Sequence, residues 1–162
     1  MSLRKPALLL LGALSVTACE APPEARIGLD LSIEQAVADD VGFFQVVVLS
    51  KGRSRQCTEL QRNCLNQQVD LDDLLMLRSA SGQEARALRF SAGLQGGTQD
   101  IAVDVPVGRD YLLVIEALSK SSPPQFLGSS CNYVDTVNAT QNEVLLAAPI
   151  TLRNVACDPT IR

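Results

Sequence analysis

The sequence contains no histidine and no tryptophan among its 162 residues. Without an imidazole it cannot form Ser-His-Asp or Cys-His catalytic sites, or the H-E-x-x-H zinc site of metalloproteases. The serine–lysine motif S-x-x-K occurs only at Ser2–Lys5. Gly96-Gly97 lacks the lysine and the helix of a phosphate-binding loop. We therefore predict a non-enzymatic protein that uses no cofactor.

Basic residues are a minority, with 14 Lys and Arg against 18 Asp and Glu, for a formal net charge of −4. Proteins bind nucleic acid mainly by neutralising its phosphates with Lys and Arg, and an acidic chain is repelled by anionic surfaces. The composition therefore predicts no nucleic-acid binding.

The first eighteen residues have the charge pattern and the length of an export signal. Arg4 and Lys5 form a short positive segment, and residues 7–18 are uncharged. This stretch is too short to cross a hydrocarbon core of about 30 Å as a helix. Small residues then precede the first cysteine in Val16-Thr17-Ala18-Cys19. This segment resembles the lipobox of bacterial lipoproteins.

The resemblance implies that residues 1–18 are a signal peptide that is cleaved before Cys19. It also implies that lipid is added to the Cys19 thiol and to the new amino terminus, which anchors the protein stably to a membrane. By the sorting rule of enterobacterial lipoproteins, Glu20 after the cysteine favours the outer membrane. We expect a lipid-anchored protein of the bacterial cell envelope, with residues 19–25 as a tether that reaches about 25 Å.

Four cysteines remain if Cys19 carries lipid, and an even number in an exported domain predicts two disulfides. Three pairings are open. We favour Cys57–Cys64 and Cys131–Cys157, because the two cysteines of each pair are neighbours in sequence and flank polar or turn-rich stretches. A zinc site is the alternative, but the sequence has no histidine and no C-x-x-C pair.

Residues 26–162 have the patterns of a single all-β domain. The apolar residues of 27–33 alternate with small or polar ones, which predicts a strand with one buried face. Residues 43–49 and 111–118 are almost continuously apolar, as in strands that are covered on both faces. Phe43 and Phe44 must point to opposite faces, so one of them is a candidate contact residue. Further strands are predicted at residues 87–92, 102–107, 126–129, 133–137 and 143–152.

Two local features refine this pattern. Pro149 removes a backbone donor from the last strand, which predicts an edge position. The run from Val103 to Leu118, V-x-V-P-V-G-R-D-Y-L-L-V-I-E-A, is similar to a motif of immunoglobulin-like and transthyretin-like domains, in which a Pro/Gly turn leads an aromatic residue into a core strand. The resemblance implies an antiparallel β-sandwich of one of these types and no particular activity.

Charged clusters provide few candidate sites. Asp70, Asp72 and Asp73 offer oxygen ligands for calcium, but a helix cap or a solvated edge is favoured because no glycine turn or closing glutamate accompanies them. The basic loop 51–55 is interpreted as a solvated hairpin end rather than as an anion contact. Asp135-Thr136 begins like an aspartic-protease motif, but a valine replaces the required glycine.

These observations predict a membrane-anchored, non-enzymatic lipoprotein that binds another envelope protein or supports an assembly. The first alternative is a carboxylate-dependent glycan hydrolase, which needs two acidic side chains in one cleft about 5–10 Å apart. The second is a calcium-dependent adhesion module.

Overall fold

The computed structural model describes residues 22–140, 144–153 and 155–161. The predicted signal peptide, the lipidation site Cys19 and Glu143 lie outside these residues. The described chain forms ten strands. They are β1 (Glu24–Ser32), β2 (Val41–Leu49), β3 (Leu77–Ser79), β4 (Glu84–Ala85), β5 (Leu88–Ser91), β6 (Thr98–Pro106), β7 (Gly108–Ser119), β8 (Phe126–Val137), β9 (Val144–Pro149) and β10 (Thr151–Leu152).

The strands form two five-stranded sheets, sheet A with the order β4-β3-β6-β1-β9 and sheet B with the order β10-β8-β7-β2-β5. All neighbouring strands are antiparallel except β1 and β9, which run parallel. The apolar faces of the two sheets pack on each other and form the main core. This confirms the predicted all-β sandwich of two largely antiparallel sheets.

Helical segments are short. They are α1 (Gln35–Ala38), α2 (Cys57–Leu60) and 3₁₀ turns at Gly52–Ser54, Leu65–Gln67 and Leu71–Asp73. Within the described ranges, no helix has the length and hydropathy needed to span a membrane.

The alternation of apolar and polar residues in β1 buries one face of the strand, as predicted. Ile27, Leu29 and Leu31 are at most 4% exposed and belong to the main core, because alternate side chains of a strand point to the same face. The charged members of β1, Glu24, Arg26 and Asp30, lie on the opposite face of sheet A. The predicted opposition of Phe43 and Phe44 is also confirmed, since Phe43 is 36% exposed and Phe44 is fully buried.

Sheet B is apolar on both faces because a third layer covers its outer face. We call residues 56–76 the cap and residues 155–161 the strap. Apolar side chains of β2 and β7 on the outer face pack under the cap and form a second core cluster. The contributors from the sheet are Val47, Leu49, Leu112 and Val114, and those from the cap are Leu60, Leu65 and Leu74. The continuous apolar runs of β2 and β7 therefore reflect burial on both sides.

The disulfides attach this third layer, and their pairing differs from the predicted one. Cys57 is bonded to Cys131 of β8, and Cys64 is bonded to Cys157 of the strap, with Cα–Cα distances of 5.5 and 6.0 Å. The predicted pairs, Cys57–Cys64 and Cys131–Cys157, are therefore wrong, although the number of bridges is right. Sequence proximity misleads because the cap packs against β8 and the strap, which supply partner cysteines 74 and 93 residues later.

The predicted strands at 126–129 and 133–137 form one continuous strand, β8, which pairs along most of its length with β7. The predicted strand at 143–152 is instead divided between two sheets. β9 is the edge strand of sheet A, as Pro149 predicts, whereas β10 pairs with β8 in sheet B. The chain changes sheets at Ile150, whose side chain is buried in the main core.

The long-range bridges have a thermodynamic consequence. In the chain-entropy model, loops of 74 and 93 residues are worth about 4.5 kcal/mol each, against about 2–3.5 kcal/mol for the sequence-adjacent pairs. With Cys19 replaced by serine, the double variant Cys64→Ser/Cys157→Ser should contain no free thiol and should lose about 3.5–4 kcal/mol of unfolding free energy, because the remaining Cys57–Cys131 bond shortens the loop that the lost bond closes. Thiol titration under denaturing conditions and urea unfolding measure both quantities. Two free thiols in that variant would support the sequence-adjacent pairing instead.

Candidate functional site

Asp72 and Asp73 of the predicted acidic cluster make separate ion pairs, and Asp70 precedes the 3₁₀ turn Leu71–Asp73. Asp73 contacts Arg55, and its Oδ1 also lies 3.6 Å from Lys51 Nζ. The Asp72 carboxylate lies 3.5 Å from Arg86. In the described ranges, no group of three His, Cys, Asp or Glu side chains is placed to hold a metal ion. These ion pairs join the cap to the basic loop and to the segment before β5.

The basic loop is part of a polar surface cluster rather than a fully solvated hairpin end. Arg53 donates to the Tyr133 hydroxyl at 2.6 Å and to Asp135 Oδ1 at 2.6 Å, and its backbone N–H donates to Asp110 Oδ1 at 2.8 Å. The hydrogen bond from Arg53 lowers the pKa of Asp135. Because Asp135 is exposed and stays ionised, it is poorly suited to act as a general acid.

A buried carboxylate lies beneath the cap. Glu116 of β7 is 1% exposed. It accepts hydrogen bonds of 2.8 Å from the Leu65 backbone N–H and from the Gln45 side-chain amide. The same amide donates to the Pro159 carbonyl at 2.9 Å, and Arg89 of β5 donates to Gln45 Oε1 at 2.9 Å. This polar network joins sheet B, the cap and the strap, and it satisfies both oxygens of the carboxylate.

Burial raises the pKa of Glu116, because desolvation disfavours the charged form. The hydrogen bonds from Leu65 and Gln45 and the charge of Arg89 oppose this shift but do not cancel it. Sequence reasoning did not identify Glu116 or Gln45 as special. Their position inside apolar runs could have identified them, because a polar side chain in a strand that is buried on both faces requires a hydrogen-bond partner.

The described residues also form a groove of about 840 Å³. It lies where α1, the start of β8, β10 and the strap meet. Its apolar lining includes Val37, Phe126, Leu127, Leu152, Val155 and Ala156. Asp40, Arg153 and Asp158 supply charge. The size and the apolar walls with a few polar groups are typical of binding sites.

The strap forms one wall of this groove, and side chains of the cap and sheet B hold its backbone. Asn66 Nδ2 donates to the carbonyls of Asp158 and Thr160 at 2.6 and 2.9 Å. Gln45 and the Cys64–Cys157 bridge add two further attachments. The groove therefore depends on the same contacts that enclose Glu116.

Comparisons with protein-family models, with curated proteins and with solved structures find no match to this chain.

The raised pKa of Glu116 predicts a pH dependence of stability. A raised pKa in the folded state stabilises the protein fully below the ordinary value of 4.5, and this contribution is lost as the pH rises through the folded-state value. The variant Glu116→Gln should lack this part of the pH dependence of unfolding free energy. Urea unfolding between about pH 4 and 8 measures it, with Glu59→Gln on the exposed surface of α2 as the control. Equal slopes for the Glu116 variant and the parent would contradict the assignment.

Proposed function

We propose that this protein is a lipid-anchored bacterial envelope lipoprotein whose sandwich is a non-enzymatic binding module. The groove beside the strap is the observation that carries the proposal. It combines an apolar lining with a small number of charged groups, and two disulfides and a buried polar network stabilise the elements around it. The lipobox-like segment that ends in Cys19 supplies the proposed anchor and the location at the outer membrane.

The sheet arrangement favours one of the two sandwich types that the sequence resembles. In the constant type of immunoglobulin domain, the first two strands belong to the same sheet. Here β1 lies in sheet A and β2 in sheet B. This difference argues against the constant type of immunoglobulin domain, and we therefore propose the transthyretin-like alternative.

The proposed partner is an extended apolar segment of another envelope protein that carries a cationic side chain. The half-buried Val37, Leu152 and Val155 offer apolar contacts along the groove. Asp40 at its margin is exposed and has no ion-pair partner in the described part of the chain. A cationic group of the partner would meet this carboxylate at the edge of the apolar surface, where electrostatic complementarity contributes specificity.

The glycan-hydrolase alternative has weaker support. Asp110 and Asp135 both lie 3.3 Å from the Tyr133 hydroxyl, so their separation is compatible with a pair of catalytic carboxylates. However, Arg53 bonds to Asp135, and the cluster lies on an exposed surface rather than in a cleft. An arrangement of this kind is more typical of a polar contact surface.

The anchor is tested by intact-mass spectrometry of protein extracted from membranes. We expect the mass of residues 19–162 plus lipid, with an increase of about four hydrogens when two disulfides are reduced. An unlipidated mass would remove the anchor from the proposal.

The groove is tested by site-specific photo-crosslinking in the intact envelope. A crosslinking residue at Gln125, which lines the groove, should capture a protein partner, whereas one at the exposed Gln83 between β3 and β4 should not. The variant Ala156→Arg should abolish this crosslink by filling the groove, because Ala156 is an exposed lining residue. Ala139→Arg is the matched control, because Ala139 is exposed and follows the end of β8 opposite to the end that lines the groove. A crosslink that survives Ala156→Arg would place the partner elsewhere.

A further inference from the structure

The direction of β1 defines the two ends of the sandwich. β1 begins at Glu24, which pairs with Pro106, and ends at Ser32, which pairs with Thr98. We call the end of the sandwich at Glu24 the N-terminal end and the other the groove end. The N-terminal end also contains the β6–β7 turn and the last residues of β8, since Gly108 pairs with Val137.

The groove lies at the opposite end. Two of its lining elements, α1 and residues 123–125, follow strands that run away from the N-terminal end, namely β1 and β7. A strand of nine residues spans about 30 Å. The start of β1 and the groove are therefore separated by nearly the full length of the sandwich.

The tether allows little distance between the anchor and the N-terminal end. The Val107 N–H donates to the Pro23 carbonyl at 2.8 Å, and β1 starts at Glu24, so the domain begins earlier than the predicted boundary at residue 26. Only four Cα–Cα steps separate Cys19 from Pro23, which limits the reach to about 14 Å. This is less than half of the length of the sandwich.

Surface charge distinguishes the N-terminal end from the flank of sheet A. At the N-terminal end, Lys51 pairs with Asp73, Arg53 with Asp135 and Arg78 with Glu24, and Arg109 is exposed. On the outer face of sheet A, Asp30 lies directly opposite Asp100 in the register of β1 and β6, and neither makes an ion pair with a described residue. Two like charges side by side repel each other and would also be repelled by an anionic lipid surface. A side-on contact through sheet A is therefore disfavoured.

We infer that the sandwich stands end-on at the membrane, with its N-terminal end against the lipid headgroups and its groove facing the aqueous compartment about 30 Å further out. This inference rests on the proposed lipid anchor at Cys19. The surface that meets the headgroups comprises the β6–β7 turn, the basic loop 51–55 and the end of β8. It follows that a partner in the groove approaches from the side away from the anchoring leaflet.

The orientation is measured on the lipidated full-length mature protein in phospholipid nanodiscs that contain phosphatidylethanolamine, phosphatidylglycerol and a headgroup-labelled gadolinium lipid. Paramagnetic relaxation falls steeply with distance from the headgroups. We expect the amide signals of Gly108, Arg109 and Asp110 to lose several-fold more intensity than those of Gly97 and Gln125. A uniform loss, or the strongest loss on the outer strands of sheet A, would overturn the end-on orientation.

Two controls separate the effect of the short tether from the effect of the lipid anchor. Insertion of a flexible twenty-residue Gly/Ser linker between Ala21 and Pro22 should weaken the gradient along the sandwich, because the tether then no longer restricts the domain. An unchanged gradient in that variant would overturn the role of the tether. Mass spectrometry of the same sample distinguishes the two proposals: an unlipidated protein defeats the anchor and the orientation together, whereas a lipidated protein with another orientation defeats only the latter.

Discussion

The hydrogen bond between Gln45 and Glu116 links all the parts of the molecule that lie on the outer face of sheet B. Through it, β2 and β7 are connected to the cap at Leu65 and to the strap at Pro159. Each of these groups is buried, so removal of one partner leaves another polar group without compensation, at a cost of about 1–3 kcal/mol. The groove depends on the same hydrogen bonds because the strap forms one of its walls.

The cap and the strap contain little regular structure that could stabilise them by itself. A segment of irregular backbone loses about 1–2 kcal/mol of conformational entropy per residue when it is fixed in one conformation. The apolar cluster around Leu65 and Leu74 and the two disulfides offset this cost. Both bridges cross from the cap to later parts of the chain, which explains how a layer made of short turns covers a sheet stably.

The regular parts of the fold follow from local sequence pattern, and the rest follows from contacts between distant segments. The alternation in β1 and the apolar runs of β2 and β7 predict those strands because burial acts at each position separately. In β8, residues 130–132 separate the two strands that the sequence predicts, yet they continue the pairing with β7. The cysteine pairing, the Glu116 network and the groove depend on the positions of the cap and the strap. Local sequence patterns do not predict these positions.

The chain passes from sheet A to sheet B between β9 and β10. β9 completes sheet A by pairing with β1, and β10 then pairs with β8 in sheet B, with Ile150 between them. The strap begins only after this crossing, and it rests on a cap that needs sheet B beneath it. Contacts between such distant segments form slowly because of the entropy of closing long loops. Because Cys64 precedes β3 and Cys157 follows β10, their bond closes a loop that contains strands of both sheets.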